Sequence, residues 1–196
     1  MKIAIIDYNA GNTKSVQFAL ERLGVQPILT NDATVLASAD KVIFPGVGAA
    51  SSTMRYLKSK GLDVVIQDLK QPVLGICLGM QLLCAASEEG DAKGLGIFPQ
   101  KIKRFEPNPN LKVPHVGWNQ VQCKSVPLLK GIPIDSHLYF VHSYYAELSA
   151  YTIATCGYGG QFSAALQKDN FYATQFHPEK SGAIGAQILK NFIELP

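Results

Sequence analysis

No run of the 196 residues approaches the ~20 consecutive apolar positions that a membrane-spanning helix needs. The N-terminal stretch Met1-Lys2-Ile3-Ala4-Ile5-Ile6 meets a carboxylate at Asp7, too soon for the core of a secretory signal. These two absences predict a cytosolic protein. Dense basic clusters are also lacking. Lys and Arg number 18 against 15 Asp and Glu, and a net charge of +3 with no nucleic-acid-binding signature argues against a DNA or RNA partner. The four cysteines, Cys77, Cys84, Cys123 and Cys156, show no C-x-x-C spacing and no Cys/His cluster of the zinc type. They read as free thiols in a reducing compartment, and no metal or cofactor is called for. Internal repeats, linkers and low-complexity segments are missing, which predicts a single α/β domain over residues 1–196.

What is present has a rhythm. The apolar run Lys2 to Ile6 reads as a buried strand. Val16, Ala19, Leu20 and Leu23 then recur at helical spacing before Gly24, and short strands follow at Gln26 to Leu29 and Lys41 to Phe44. Helices are predicted from Ala50 to Ser59 and from Asp63 to Leu69, then a strand from Val73 to Ile76. This β-α-β-α-β order predicts a parallel sheet with helices on both faces. Past Gly94 the pattern turns to strand-like runs, at Ile97 to Phe105, Trp118 to Cys123, Leu138 to Tyr144, Thr152 to Cys156, Ser163 to Gln167 and Phe171 to Thr174. Turn signals such as Pro107-Asn108-Pro109-Asn110 and Gly157-Tyr158-Gly159-Gly160 separate them. They predict antiparallel strands that extend the sheet or form a small second one. A last helix is expected from about Gly182 to Glu194.

The sharpest local feature is Gly75-Ile76-Cys77-Leu78-Gly79-Met80-Gln81, where a strand is predicted to run straight into a helix over Leu78 to Ala86. G-x-C-x-G is the thiol counterpart of the nucleophile elbow. Glycines two residues either side of the nucleophile relieve crowding at a strained turn. The turn sets the sulfur at a helix N-terminus, whose partial positive charge favours an anion, and the Leu78 amide is placed to donate to an oxyanion. A buried packing thiol would have the same local sequence, so a base is needed to decide. Of His115, His137, His142 and His177, the last has the suitable setting: a strand ends into His177-Pro178-Glu179-Lys180-Ser181. In extended geometry Glu179 would project to the same side as His177 and orient its ring. His142 reads as a core histidine within a strand, and His115, after Pro114, as a loop residue.

With G-I-C-L-G-M-Q and H-P-E-K-S in that order, the chain resembles the class I (triad) glutamine amidotransferases over nearly its whole length. Asp7-Tyr8-Asn9-Ala10-Gly11-Asn12, Pro45-Gly46-Val47-Gly48, Val116-Gly117-Trp118-Asn119 and Val141-His142-Ser143-Tyr144 narrow the resemblance to the glutaminase subunits of imidazole glycerol phosphate synthases. The resemblance implies a three-layer fold with a mostly parallel central sheet. It implies that Cys77 attacks the side-chain amide of glutamine, with His177 and Glu179 completing the triad. The ammonia would pass to a separate (β/α)8-barrel cyclase subunit, which makes imidazole glycerol phosphate and an aminoimidazole carboxamide ribonucleotide in histidine biosynthesis. Gly46, Val47 and Gly48 would face the nucleophile, the Val47 and Leu78 amides forming an oxyanion hole that assembles on activation. Gln81 and Glu89 would hold the glutamine head, Glu89 its ammonium, with backbone contacts from Ser143 and Tyr144. Asn12, Trp118, Tyr139 and Lys180 would meet the partner. Other glutaminase subunits of the class, a partner-free cysteine hydrolase and a non-enzymatic binding subunit are the competing readings. The G-W-N segment and the complete triad count against them.

Overall fold

The computed structural model describes residues 1–8, 12–107, 109 and 111–196. Asn9, Ala10 and Gly11 of the N-terminal motif, and Asn108 and Asn110 of one turn signal, lie outside the described residues.

The first half builds a parallel sheet from strands too short and too apolar to face water. β1 (Ile3–Ile6), β3 (Lys41–Phe44) and β4 (Val73–Ile76) are buried at every position, and β2 (Ile28–Thr30) closes the edge. Alternate side chains of these strands enter two separate cores. Ile3, Ile5, Ile43, Leu74 and Ile76 pack on one face with α1 (Thr13–Arg22) and, from the far end of the chain, α6 (Gly182–Glu194). Ala4, Ile6, Val42, Phe44 and Val73 pack on the other. There they meet α2 (Ala33–Ala37), α3 (Ala50–Ser59), α4 (Leu62–Asp68) and α5 (Leu78–Leu83). A strand buried on both faces must be apolar at consecutive positions rather than alternately, which is how these segments read. The α2 helix was not among the predicted elements, although Asp32 carries its signal: the carboxylate accepts from the amides of Thr34 at 2.7 Å and Val35 at 3.1 Å, an N-cap.

The second half supplies β5 (Cys84–Ser87), β6 (Ala92–Lys93), β7 (Phe98–Arg104), β8 (His115–Cys123), β9 (Ser136–His142), β10 (Tyr144–Ala146), β11 (Thr152–Gly157), β12 (Gln161–Lys168) and β13 (Phe171–Thr174). The strand order is β2-β1-β3-β4-β13-β12-β10-β7-β5-β6, with β11, β8 and β9 branching from β12. Of the two predicted outcomes the extension occurs: the later strands join the same sheet, and β11, β8 and β9 branch from it rather than forming a second one. β13 returns beside β4 in parallel register, Thr174 opposite Ile76, and so delivers Gln175, His177 and Glu179 to the end of the strand that carries Cys77.

Two expectations need correction. The helix predicted to Ala86 stops at Leu83, and Cys84 turns extended (φ −75°, ψ 170°) to join β5. The carbonyls of Cys84 and Ala85 accept from the amides of Gly96 and Gly94, and β5 pairs with both β6 and β7, so sheet pairing overrides the helical pattern. His115, expected in a loop, opens β8 and is 3% exposed.

Buried Asn191 ties α6 to the 3-10 turn Pro127–Leu129: its amide donates to the carbonyls of Leu128 at 3.0 Å and Lys130 at 2.8 Å, while Gln187 donates to its oxygen at 2.8 Å. Replacing it with leucine keeps the volume and leaves two carbonyls unpaired. Asn191→Leu is expected to cost about 2–4 kcal/mol of unfolding free energy in urea titration.

Candidate active site

Cys77 sits between β4 and α5 with φ 53° and ψ −105°, a backbone conformation L-residues rarely hold. The neighbouring glycines make that turn possible. A Cβ at position 79 would lie 1.9 Å from the Phe44 carbonyl oxygen, and one at position 75 would lie 2.7 Å from Leu83 Cδ1 and 2.9 Å from the Met80 amide. The crowding predicted from the elbow pattern is thus real, and it comes from β3 and α5. The Cys77 amide is held by the Thr174 carbonyl at 2.7 Å, which ties the elbow to β13.

His177 and Glu179 meet as expected but not by the expected geometry. His177 ends the extended segment and caps the 3-10 turn Pro178–Lys180. That turn, not an i, i+2 strand pairing, brings Glu179 Oε1 to 2.7 Å from His177 Nδ1. Both side chains are 1% exposed. The ring is further fixed through its backbone: the His177 amide donates to the Tyr139 carbonyl at 2.9 Å, and Ser181 Oγ donates to the His177 carbonyl at 2.6 Å. Burial disfavours a charged ring, but hydrogen bonding and charge from Cys77 and Glu179 outweigh it and push the imidazole up to about 10. Among the described residues its Nε2 makes no well-formed hydrogen bond, so that nitrogen is able to exchange a proton with the sulfur or a leaving group. The remaining thiols are of another kind. Burial raises Cys84, Cys123 to about 11 and Cys156 to about 12, so they stay protonated and inert.

A cavity of about 330 Å³ opens onto the sulfur. Its walls bring together Val47, Gly48, Leu78, Gln81, Glu89, Ser143 and Tyr144 from the sequence-nominated residues, and add Pro114, Val141 and His142. Gly46 lies buried behind them, where a Cβ would come within 2.5 Å of Leu78 Cβ. Its carbonyl accepts from the Leu78 amide at 3.4 Å, so a carbonyl, not an amide, faces the first donor of the expected oxyanion hole. Glu89 spends one carboxylate oxygen on the Ala50 amide at 2.8 Å, at the start of α3, which orients the group in the cavity wall. Gln81 is 5% exposed, and its amide nitrogen donates both to the Tyr144 carbonyl and to Gln175 Oε1, each at 3.0 Å. Its own carbonyl oxygen is what it can offer a substrate. The Ser143 carbonyl is likewise engaged, by the Phe105 amide at 3.0 Å.

Three groups escaped the sequence reading. Tyr8, 2% exposed, donates to the Pro45 carbonyl at 2.6 Å, and its ionisation is pushed up by burial and then by the charge of Cys77. Gln175, wholly buried, donates to Cys77 Sγ at 3.6 Å. His115 and His142 form a pair, Nδ1 to Nε2 at 2.9 Å. The position of Gln175, two residues before His177, was the one available signal for it.

Of the residues nominated for a partner, Trp118 is 56% exposed and opposes Tyr139 across β8 and β9, the rings edge to face at 6.1 Å. Tyr139 connects surface and site: its ring meets Trp118 while its amide and carbonyl bind Ser181 Oγ and His177. Lys180 is exposed next to Glu179 in the chain, and Asn12 precedes α1 half-buried, with no cap bond from its side chain among the described residues.

Burial lowers His142 to about 3 and His115 to about 4, so both are neutral in the folded chain. A histidine held neutral contributes stability above its unfolded value near 6.5 and loses it as pH falls toward the folded value. By pH 5 the loss from His142 is about 2 kcal/mol. The stability difference between the chain and His142→Leu is expected to shrink by that amount between pH 7 and pH 5 in urea titrations.

Against known proteins, the glutamine amidotransferase class-I family matches residues 4–195. The imidazole glycerol phosphate synthase subunit HisH of Bacteroides fragilis strain YCH46 is 59% identical over 196 residues, covering 100% of both chains. That of Buchnera aphidicola subsp. Acyrthosiphon pisum is 46% identical over 197 residues, again covering 100% of both. A glutamine amidotransferase structure from Thermotoga maritima, 18% identical, superposes with a TM-score of 0.62 over 99% of this chain and 81% of its own, which shows the shared fold. An elbow cysteine, a histidine–glutamate pair buried behind it and these full-length matches lead to one assignment: the chain belongs to the class-I glutamine amidotransferase family, among the HisH subunits of imidazole glycerol phosphate synthase.

Proposed function

We propose that the chain hydrolyses glutamine through Cys77, His177 and Glu179 and hands the ammonia to a separate cyclase subunit in the cytoplasm. The observation that carries this reading is the one cavity that brings the sulfur together with Gln81, Glu89, Val47 and Gly48. Cys77 Sγ attacks the amide carbon of glutamine, forming a C–S bond. His177, held by Glu179, gives a proton to the nitrogen as the C–N bond breaks and ammonia departs. Water activated by the same ring then attacks the thioester; a C–O bond forms, the C–S bond breaks and glutamate leaves with the thiolate regenerated.

The negative oxygen of the tetrahedral intermediate needs donors that are already aimed. Leu78 supplies one, but it faces the Gly46 carbonyl. Turning over the Gly46–Val47 peptide would remove that carbonyl and present the Val47 amide in its place, a rotation about ψ of Gly46, where no side chain restricts the backbone. In this reading the chain alone is a poor glutaminase and the partner acts on the loop. Trp118, Tyr139, Lys180 and Asn12 form the docking surface. The Tyr139 backbone, bonded to His177 and Ser181, links that surface to the triad, as does Lys180, whose amide donates to the His177 carbonyl at 3.1 Å.

Glutamate release by the chain should be low alone and rise at least about tenfold with a barrel cyclase and its nucleotide substrate. Equal release in both conditions defeats the gated reading. In the complex, Cys77→Ala should lose about a thousandfold or more in kcat. An electrophilic glutamine analogue should mark Cys77 and leave Cys84, Cys123 and Cys156 unmodified, read by peptide mass spectrometry.

A further inference from the structure

The polar groups behind the cavity form one chain of hydrogen bonds whose direction can be read from its fixed points. Asn119 Nδ2 donates to the Gly157 carbonyl at 3.0 Å and lies 3.2 Å from His115 Nε2, while its Oδ1 accepts from the Gln120 amide at 2.8 Å. A nitrogen is therefore what it turns to the ring. His115 Nε2 must accept, and its Nδ1 must carry the proton that reaches His142 Nε2 at 2.9 Å. His142 Nδ1 then donates to the Tyr144 carbonyl at 2.7 Å. That carbonyl can only accept, and its second lone pair takes the amide of Gln81 at 3.0 Å. The Gln81 amide is thereby fixed with its nitrogen inward, and the other hydrogen goes to Gln175 Oε1 at 3.0 Å. Gln175 in turn cannot flip: its oxygen is taken, so its nitrogen faces Cys77 Sγ at 3.6 Å.

We infer that Gln175 is a further catalytic residue, one whose amide N–H holds the Cys77 sulfur and stabilises its negative charge. The inference rests on Cys77 being the nucleophile. The thiol has a second contact, a donation to the Val141 carbonyl at 3.8 Å. Once ionised, the sulfur has no proton for that bond, whereas the bond from Gln175 strengthens because its acceptor is now charged. Gln175 thus favours the anion over the thiol at two points in the cycle, when the sulfur attacks and when it leaves the thioester. A lower thiol pKa costs some nucleophilicity, but with a Brønsted slope of about 0.4–0.5 the gain in thiolate outweighs it below the titration midpoint. The titratable groups around the sulfur are His177 and Tyr8, with Glu89 and His142 in the wall of the same cavity, and none of them hydrogen-bonds Gln175 among the described residues.

The test is alkylation of the full chain by iodoacetamide, without glutamine or partner, followed at the Cys77 peptide from pH 5.5 to 9. In Gln175→Met, which lacks the donor, the profile should move upward by about one pH unit, with a rate about threefold lower at pH 7 after the opposing change in nucleophilicity. Gln175→Glu keeps the volume and sets a carboxylate oxygen against the sulfur, and its profile should move at least as far. In the complex both variants should lower kcat for glutamine hydrolysis with KM changed less than about twofold. Should Gln175→Met fail to fold, Gln175→Glu decides. An unmoved profile in a folded variant overturns the role of Gln175. Failure of Cys77 to be alkylated ahead of the other cysteines in the unsubstituted chain overturns the nucleophile assignment instead.

Discussion

The Phe44 carbonyl oxygen occupies the space a Cβ at position 79 would need, and the rest of the site depends on that contact. It lets α5 start hard against the end of β3, which forces the chain through Cys77 in a positive-φ turn. The strain is of order 1–3 kcal/mol and is borne by two fully packed cores, one on each face of the sheet. A wholly buried strand pair, β4 and β13, then sets the register. Cys77 is bonded to Thr174, and the three residues after Thr174 include the two that reach the sulfur, Gln175 and His177.

The charges of the site divide along the same line. Beside the sulfur lies a histidine held positive by Cys77 and by the buried Glu179 carboxylate. His142, in the wall of the same cavity, and its partner His115 are held neutral by burial. Two groups separate the behaviours: Cys77 and Glu179 both raise His177, while among the described residues His142 bonds a carbonyl and a second neutral ring. Neutrality has a use here, since a neutral imidazole can both donate and accept and so passes hydrogen-bond direction along the chain, which an imidazolium cannot.

Much of this was legible beforehand where one residue type has one physical reason to be present. The parallel half of the fold followed from strands apolar at consecutive positions, and the elbow from glycines spaced two either side of Cys77. The cavity residues followed from the family resemblance, and they do converge. What stayed hidden depends on tertiary pairing. Nothing local in Cys84 to Ser87 announces a strand, because its partners lie at Ala92 to Lys93 and Phe98 to Ile102. The turn at Pro178 to Lys180 achieves what an extended segment was expected to achieve. Gln175 looks like an ordinary polar residue before a histidine until Gln81 fixes its amide from 94 positions away. The His115–His142 pair is invisible until β8 and β9 set those residues opposite each other.

The group that orients both glutamine amides and the histidine pair is the carbonyl of Tyr144, a main-chain atom. Every amino acid carries that oxygen. Substitution at position 144 can change the cavity wall, but it cannot delete the acceptor from which the order of the network begins. Genetic variation therefore reaches this anchor only by displacing backbone, so the element least exposed to mutation stands at the root of the one most sensitive to geometry.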